Sequence, residues 1–79
     1  MSRARDVVEV VAKALADKPD AVSVTERTVR GQTLVELVMA PGDMGRVIGR
    51  QGRTAAAMRA LANAAAELDG TKAMVEFRD

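Results

Sequence analysis

Apolar side chains at Val7, Val8, Val11, Ala14 and Leu15 recur at helical spacing between Arg3 and Ala16, and Asp17-Lys18-Pro19 supplies a stop. The pattern predicts an amphipathic first helix. The next two segments, Ala21 to Arg30 and Thr33 to Ala40, are rich in Val, Thr and Leu, and Gly31-Gln32 between them suits a two-residue hairpin turn. In the second segment Val35, Leu37 and Met39 alternate with Leu34, Glu36 and Val38, which places the first set against the helices and the second toward solvent. Val38 is the imperfect member of the outer set. Pro41-Gly42-Asp43 breaks the strand, and Asp43 is suited to cap a short helix over Met44 to Ile48. A longer helix follows from Thr54 to Leu68, with Ala57, Met58, Leu61, Ala62, Ala65 and Leu68 on one face and Asp69-Gly70 at its end. Residues Lys72 to Arg78 alternate around Ala73, Val75 and Phe77 as a last strand.

The element order is therefore α-β-β-α-α-β, an α+β class. A strand joined to a later strand through a helical crossover is expected to run parallel to it, while the hairpin is antiparallel, so the three-stranded sheet is expected to be mixed. A sheet this small has core residues for one side only, which puts all three helices on one face. At 79 residues the chain is expected to be one domain, residues 1–79, with one small core. There is no internal repeat, linker or low-complexity segment.

Composition narrows the chemistry. Cysteine and histidine are both absent, which removes disulfides, thiolate zinc sites, cysteine nucleophiles and the commonest general base. No convergent carboxylate pair compensates, so the chain reads as a non-enzyme that needs no metal and no cofactor. Asp6, Glu9 and Lys13 interrupt the apolar positions near the amino terminus, and no apolar run approaches the length of a membrane span. A cytoplasmic, soluble protein without a membrane partner is expected. Twelve basic side chains against eleven acidic ones give a net charge of +1, which argues against a broadly basic coat for nucleic acid.

Positive charge is instead local. The window Gly45 to Arg59 holds Arg46, Arg50, Arg53 and Arg59 and no acidic residue, and at its centre lies the turn Gly49-Arg50-Gln51-Gly52. Glycines at both ends let the backbone adopt unusual φ and approach another chain closely. A turn at a helix amino terminus offers unpaired N–H groups and the positive end of the helix dipole, both suited to a phosphate oxygen, and Arg50 and Arg53 add charge-assisted donors. Val47, Ile48, Ala55 and Met58 are candidates for an aliphatic groove beside it. Taken alone, the turn also suits a bare connector between helices, and the arginines an ordinary solvated face. Nucleotide motifs fail on spacing: Gly45, Gly49 and Gly52 do not make GxGxxG, and a Walker motif ending at Gly52-Arg53-Thr54 would need glycine at Val47 and lysine at Arg53. Phe77 is the one aromatic residue, and its alternation assigns it to the core, which removes aromatic stacking platforms.

The run Val47-Ile48-Gly49-Arg50-Gln51-Gly52 resembles the signature of the KH domain, whose GxxG loop joins two helices and grips about four nucleotides of a single strand. The extra helix and strand ahead of that core resemble the type II arrangement. More closely, Ala12-Lys13-Ala14-Leu15, Asp17-Lys18-Pro19, Ala40-Pro41, Asp43 and Gly45 through Thr54 resemble the KhpA family of small bacterial single-KH proteins, over essentially the whole chain. The resemblance implies an RNA chaperone that binds single-stranded RNA through Arg46, Val47, Ile48, Gly49, Arg50, Gln51, Gly52, Arg53 and Ala55. It also implies pairing with itself or with the KH/R3H protein KhpB, in control of cell elongation, division and peptidoglycan homeostasis. Ala55 departs from the general pattern, where a larger aliphatic residue often follows the loop, and implies a shallower groove. Ala56, Ala60, Asn63 and Glu67, opposite the apolar face of the long helix, are the candidate dimer surface. A protein-interaction adaptor that uses the same fold mainly to dimerise is the rival reading.

Overall fold

The computed structural model describes residues 1–78. Its elements are α1 (Arg3–Leu15), β1 (Ser23–Val29), β2 (Gln32–Val38), α2 (Met44–Ile48), α3 (Arg53–Leu68) and β3 (Ala73–Arg78), with short 3₁₀ turns at Pro19–Ala21 and Arg50–Gly52. The sheet order is β1-β2-β3, antiparallel between β1 and β2 and parallel between β2 and β3. This is the expected mixed sheet, with β2 at its centre. Among the described residues no helix is long and apolar enough to cross a membrane.

Helix α1 starts because the Ser2 hydroxyl accepts the Arg5 N–H at 3.1 Å, and Asp6 and Lys13 lie at the ends that the helix dipole favours. Its position is then fixed by polar ties. The Arg5 guanidinium donates to Glu9 at 2.7 Å and to the Val24 carbonyl at 3.2 Å, which joins the helix to β1. The Ser2 N–H donates to Glu26 at 2.8 Å and holds that carboxyl below the usual glutamate range. Arg3 pairs with Asp69 at 3.3 Å, so the start of α1 meets the end of α3 and the two helices run antiparallel.

The hairpin turn falls one residue earlier than the sequence predicts. Arg30 and Gly31 form it, with φ of 51° and 78°, and Gln32 already pairs with Val29. A two-residue turn that follows the strand twist needs positive φ at both central positions, and Arg30-Gly31 supplies both while Gln32 serves as a ladder residue. The shift displaces the cross-strand partners by two residues and leaves the faces of the strands unchanged. Val35, Leu37 and Met39 therefore lie in the core as expected, with Val24, Ala73 and Val75 beside them and Val8, Ala12, Met58 and Ala62 from the helices above.

On the outer face Glu36 sits between Arg27 at 3.3 Å and Arg78 at 3.2 Å. Leu34 shares that face but is buried, contrary to the alternation, because its neighbours in register are the long side chains of Arg27 and Met74. Helix faces also differ from the periodicity. In α1 the buried line is Ala4, Val8 and Ala12, while Ala14 and Leu15 are exposed. In α3 it is Ala55, Met58, Ala62, Ala65 and Ala66, while Ala57, Leu61 and Leu68 point outward. Small alanines let the two long helices lie close to each other and to the sheet, and the bulkier leucines turn away from that close contact.

Candidate nucleic-acid interface

Helix α2 is only five residues long, so its position depends on tertiary contacts rather than on its own stability. Met44 and Val47 anchor it in the core. Asp43, buried at 5% exposure, stands at its cap position, but its side chain does not cap the helix as the sequence predicts. Its carboxylate accepts the Lys18 N–H at 3.0 Å instead, and its backbone carbonyl accepts the Arg46 N–H at 3.0 Å. The Lys18 N–H is a donor that the extended chain leaving α1 leaves free, and burial makes an unpaired carboxylate expensive. The connector after α1 is thereby docked onto the helix that leads into the glycine turn.

The helix ends at Gly49, whose N–H donates to the Gly45 carbonyl at 3.0 Å. Gly49 has φ 74° and ψ 176°, a combination open essentially to glycine, and a Cβ there would collide with the Thr54 hydroxyl and lie 2.9 Å from its Cβ. Close packing of the turn against the first residues of α3 thus requires this glycine. Gln51 (φ 58°) and Gly52 (φ 70°) continue in left-handed conformations and deliver the chain into α3. One tight bond, from the Gly52 N–H to the Gly49 carbonyl at 3.2 Å, closes the turn. The N–H groups of Arg50 and Gln51 find no acceptor among the described residues. They lie at the amino end of a sixteen-residue helix, where the macrodipole adds positive potential.

The arginines play different parts. Arg50 is exposed, and no ion pair holds it among the described residues. Arg53 donates to the Gln51 side-chain oxygen at 3.2 Å across the turn. Arg46 is paired with Asp17 at 3.0 Å, so folding brings an acid to a segment that has none in sequence. Ile48 is exposed beside the turn at 36%. Val47, by contrast, is wholly buried, and Ala55 is buried at 4%; both support the turn from beneath. Met58 likewise belongs to the core.

Two further residues adjoin this surface. Arg59 lies one helical turn beyond Ala55, and its guanidinium carbon is 4.8 Å from the centre of the Phe77 ring. Phe77 is half-buried at the edge of the core. Alternation along β3 correctly turned this ring toward the helices, but sequence spacing had no means of showing that an arginine 18 positions earlier covers it.

A two-helix unit joined by a glycine-bracketed turn, on a three-stranded mixed sheet with elements in the order α-β-β-α-α-β, defines a KH domain of the type II arrangement. The family model described as KhpA/KhpB, KH domain, matches residues 5–77. The chain belongs to that family. It is 48% identical over 72 residues to the RNA-binding protein KhpA of Caldanaerobacter subterraneus subsp. tengcongensis, covering 91% of this chain and 96% of that one. It is 44% identical over 73 residues to the RNA-binding protein KhpA of Clostridium perfringens, at 92% and 97% coverage. The RNA-binding protein KhpA of Aquifex aeolicus is 40% identical over 77 residues, at 98% coverage of each.

Proposed function

We propose that this protein binds single-stranded RNA in the cytoplasm by gripping its backbone at the Gly49–Gly52 turn. The carrying observation is the pair of N–H groups at Arg50 and Gln51, unpartnered among the described residues and set at the amino end of α3 with two arginine side chains alongside. Phosphate oxygens accept from these N–H groups and from Arg50 and Arg53, and Arg46 joins them by exchanging Asp17 for a phosphate. Ile48 is the exposed apolar contact for a base, with Val47 and Ala55 as its support. The names of the relatives, each an RNA-binding protein, favour the same reading. We extend it to an RNA chaperone in post-transcriptional control of the elongation, division and peptidoglycan functions that the family resemblance implies.

The test is binding of a short mixed-sequence single-stranded RNA by the parent and by Arg50→Asp with Gln51→Asp. At least a tenfold loss of affinity is expected with the circular dichroism unchanged. The parent should show a log–log salt slope of about −1.5 to −2 for two or three phosphate contacts. Equal binding by the two proteins, or a flat salt response, removes the turn from the site.

Pairing with a second copy or with a KH/R3H partner such as KhpB is the second reading, and one observation favours it. Leu61 and Leu68 are 51% and 73% exposed one above the other on α3, with the small Ala57 and Ala64 between and beside them. On the face that sequence spacing suggested, Ala56, Ala60 and Glu67 are exposed, while Asn63 is committed to β3: its oxygen accepts the Ala73 N–H at 3.1 Å and its nitrogen donates to the Arg59 carbonyl at 3.2 Å. Sedimentation of the parent and of Leu61→Asp with Leu68→Asp should show a dimer converted to a folded monomer. A parent that sediments as a monomer, alone and with the partner, rules this surface out.

A further inference from the structure

The RNA reading leaves one arrangement beside the turn unused, the cation–π pair of Arg59 and Phe77. Arg59 lies four residues after Ala55, about 6 Å along the helix axis and on the same side. The neighbouring strand β3 runs back along α3: its first residue, Ala73, bonds to Asn63, and Phe77 near its end lies under Arg59, closer to the glycine turn. The pair therefore stands on the wall shared by α3 and the edge strand, within reach of a strand of about four nucleotides held at the turn.

Its chemistry suits a base. A guanidinium is planar and weakly hydrated, so it stacks on an aromatic face with one side and offers an equivalent flat side outward. The Arg59 guanidinium carbon lies over the Phe77 ring, 4.8 Å from its centre, while Arg59 itself is exposed. Among the described residues its guanidinium has no ion pair and no hydrogen bond, so its N–H edges remain unspent. Resting on the ring also reduces the rotamer freedom that an arginine would lose on binding. Bases in single-stranded recognition stack on arginine planes as well as on aromatic rings.

We propose that Arg59, backed by Phe77, is a stacking platform for one base of the bound strand, and so a binding residue distinct from the phosphate grip of the turn. This inference rests on the RNA reading above. It supplies the flat surface that a chain with a single, half-buried aromatic ring otherwise lacks. It also requires arginine: lysine at this position keeps the charge and loses the plane.

The experiment uses short single-stranded RNAs carrying 2-aminopurine at successive positions, and a matching set with one abasic position. Parent, Arg59→Lys and the Arg50→Asp, Gln51→Asp variant are compared, with circular dichroism confirming the fold of each. In the parent one 2-aminopurine position should be quenched on binding. Arg59→Lys should lose that quench and bind about five- to tenfold more weakly, with the salt slope unchanged. Removing the base at that position should weaken the parent equally and Arg59→Lys no further. The platform is overturned if Arg59→Lys binds and quenches as the parent does while the turn variant loses binding, which leaves the RNA reading standing. It is also overturned if Arg59→Lys weakens binding with the quench intact and a shallower salt slope, since Arg59 then contacts a phosphate. Failure of the parent to bind any of these RNAs removes both readings together.

Discussion

The turns at Arg30-Gly31 and at Gly49–Gly52 use the same left-handed backbone and spend it differently. At the hairpin, φ values of 51° and 78° reverse the chain so that Val29 pairs directly with Gln32, and the N–H groups of Arg30 and Gly31, likewise without an acceptor among the described residues, stand near Thr71, past the carboxyl end of α3. The Gly31 carbonyl even accepts the Thr71 hydroxyl at 3.3 Å from across the molecule. At the second turn, residues with φ of 74°, 58° and 70° join two helices, and two N–H groups find no acceptor among the described residues. Unusual backbone is therefore no sign of function by itself. What distinguishes the second turn is that its unspent N–H groups stand at the amino end of a sixteen-residue helix, in positive potential.

The two turns differ most at their glycines Gly31 and Gly49. A Cβ at Gly31 meets open space, whereas at Gly49 it meets Thr54 and a backbone region that other residues avoid. Gly49→Ala should cost about 3 kcal/mol of folding stability, and Gly31→Ala about 1–2 kcal/mol, the ordinary penalty for a left-handed residue. Urea unfolding of both variants measures this, and equal losses would mean that the packing of Thr54 under the second turn is unimportant. A smaller effect sharpens the contrast in charge. The Arg46–Asp17 pair is exposed on both sides, so its net strength is only about 0.2–1 kcal/mol, yet it opposes phosphate binding by Arg46. Asp17→Asn should raise RNA affinity about two- to threefold and steepen the salt slope slightly. Unchanged or weaker binding would mean that Arg46 takes no part.

Element types were legible along most of the chain because periods of about two and of 3.6 residues are hard to confuse over such lengths. Lys72 to Arg78 alternates cleanly, and Thr33 to Ala40 does so apart from Leu34 and Val38; the structure makes strands of both. The orientation of the long helix was not legible for a specific reason. Alanines occupy so much of the circumference of α3 that the hydrophobic pattern selects no single face, and contact with α1 and the sheet chose the alanine line over the leucines. The one-residue displacement of the hairpin turn has a similar origin. Gly31 suits either central position, and only cross-strand pairing decides which.

The candidate site divides in the same way. The glycine spacing, the arginines around it and the element order could be read from the chain alone, because they depend on residues adjacent in sequence and on backbone sterics that act locally. Resemblance to KH domains was carried by those same residues. Partnerships over long separations could not be read. Asp17 meeting Arg46, Asp43 holding the Lys18 N–H and Arg59 lying over Phe77 are consequences of how α1, α3 and β3 pack. Local sequence thus determined where a phosphate-sized set of donors would form. Tertiary structure decided which of the nearby charges are free to use it and which side chains flank it, because burial and pairing depend on neighbours that the linear order does not specify.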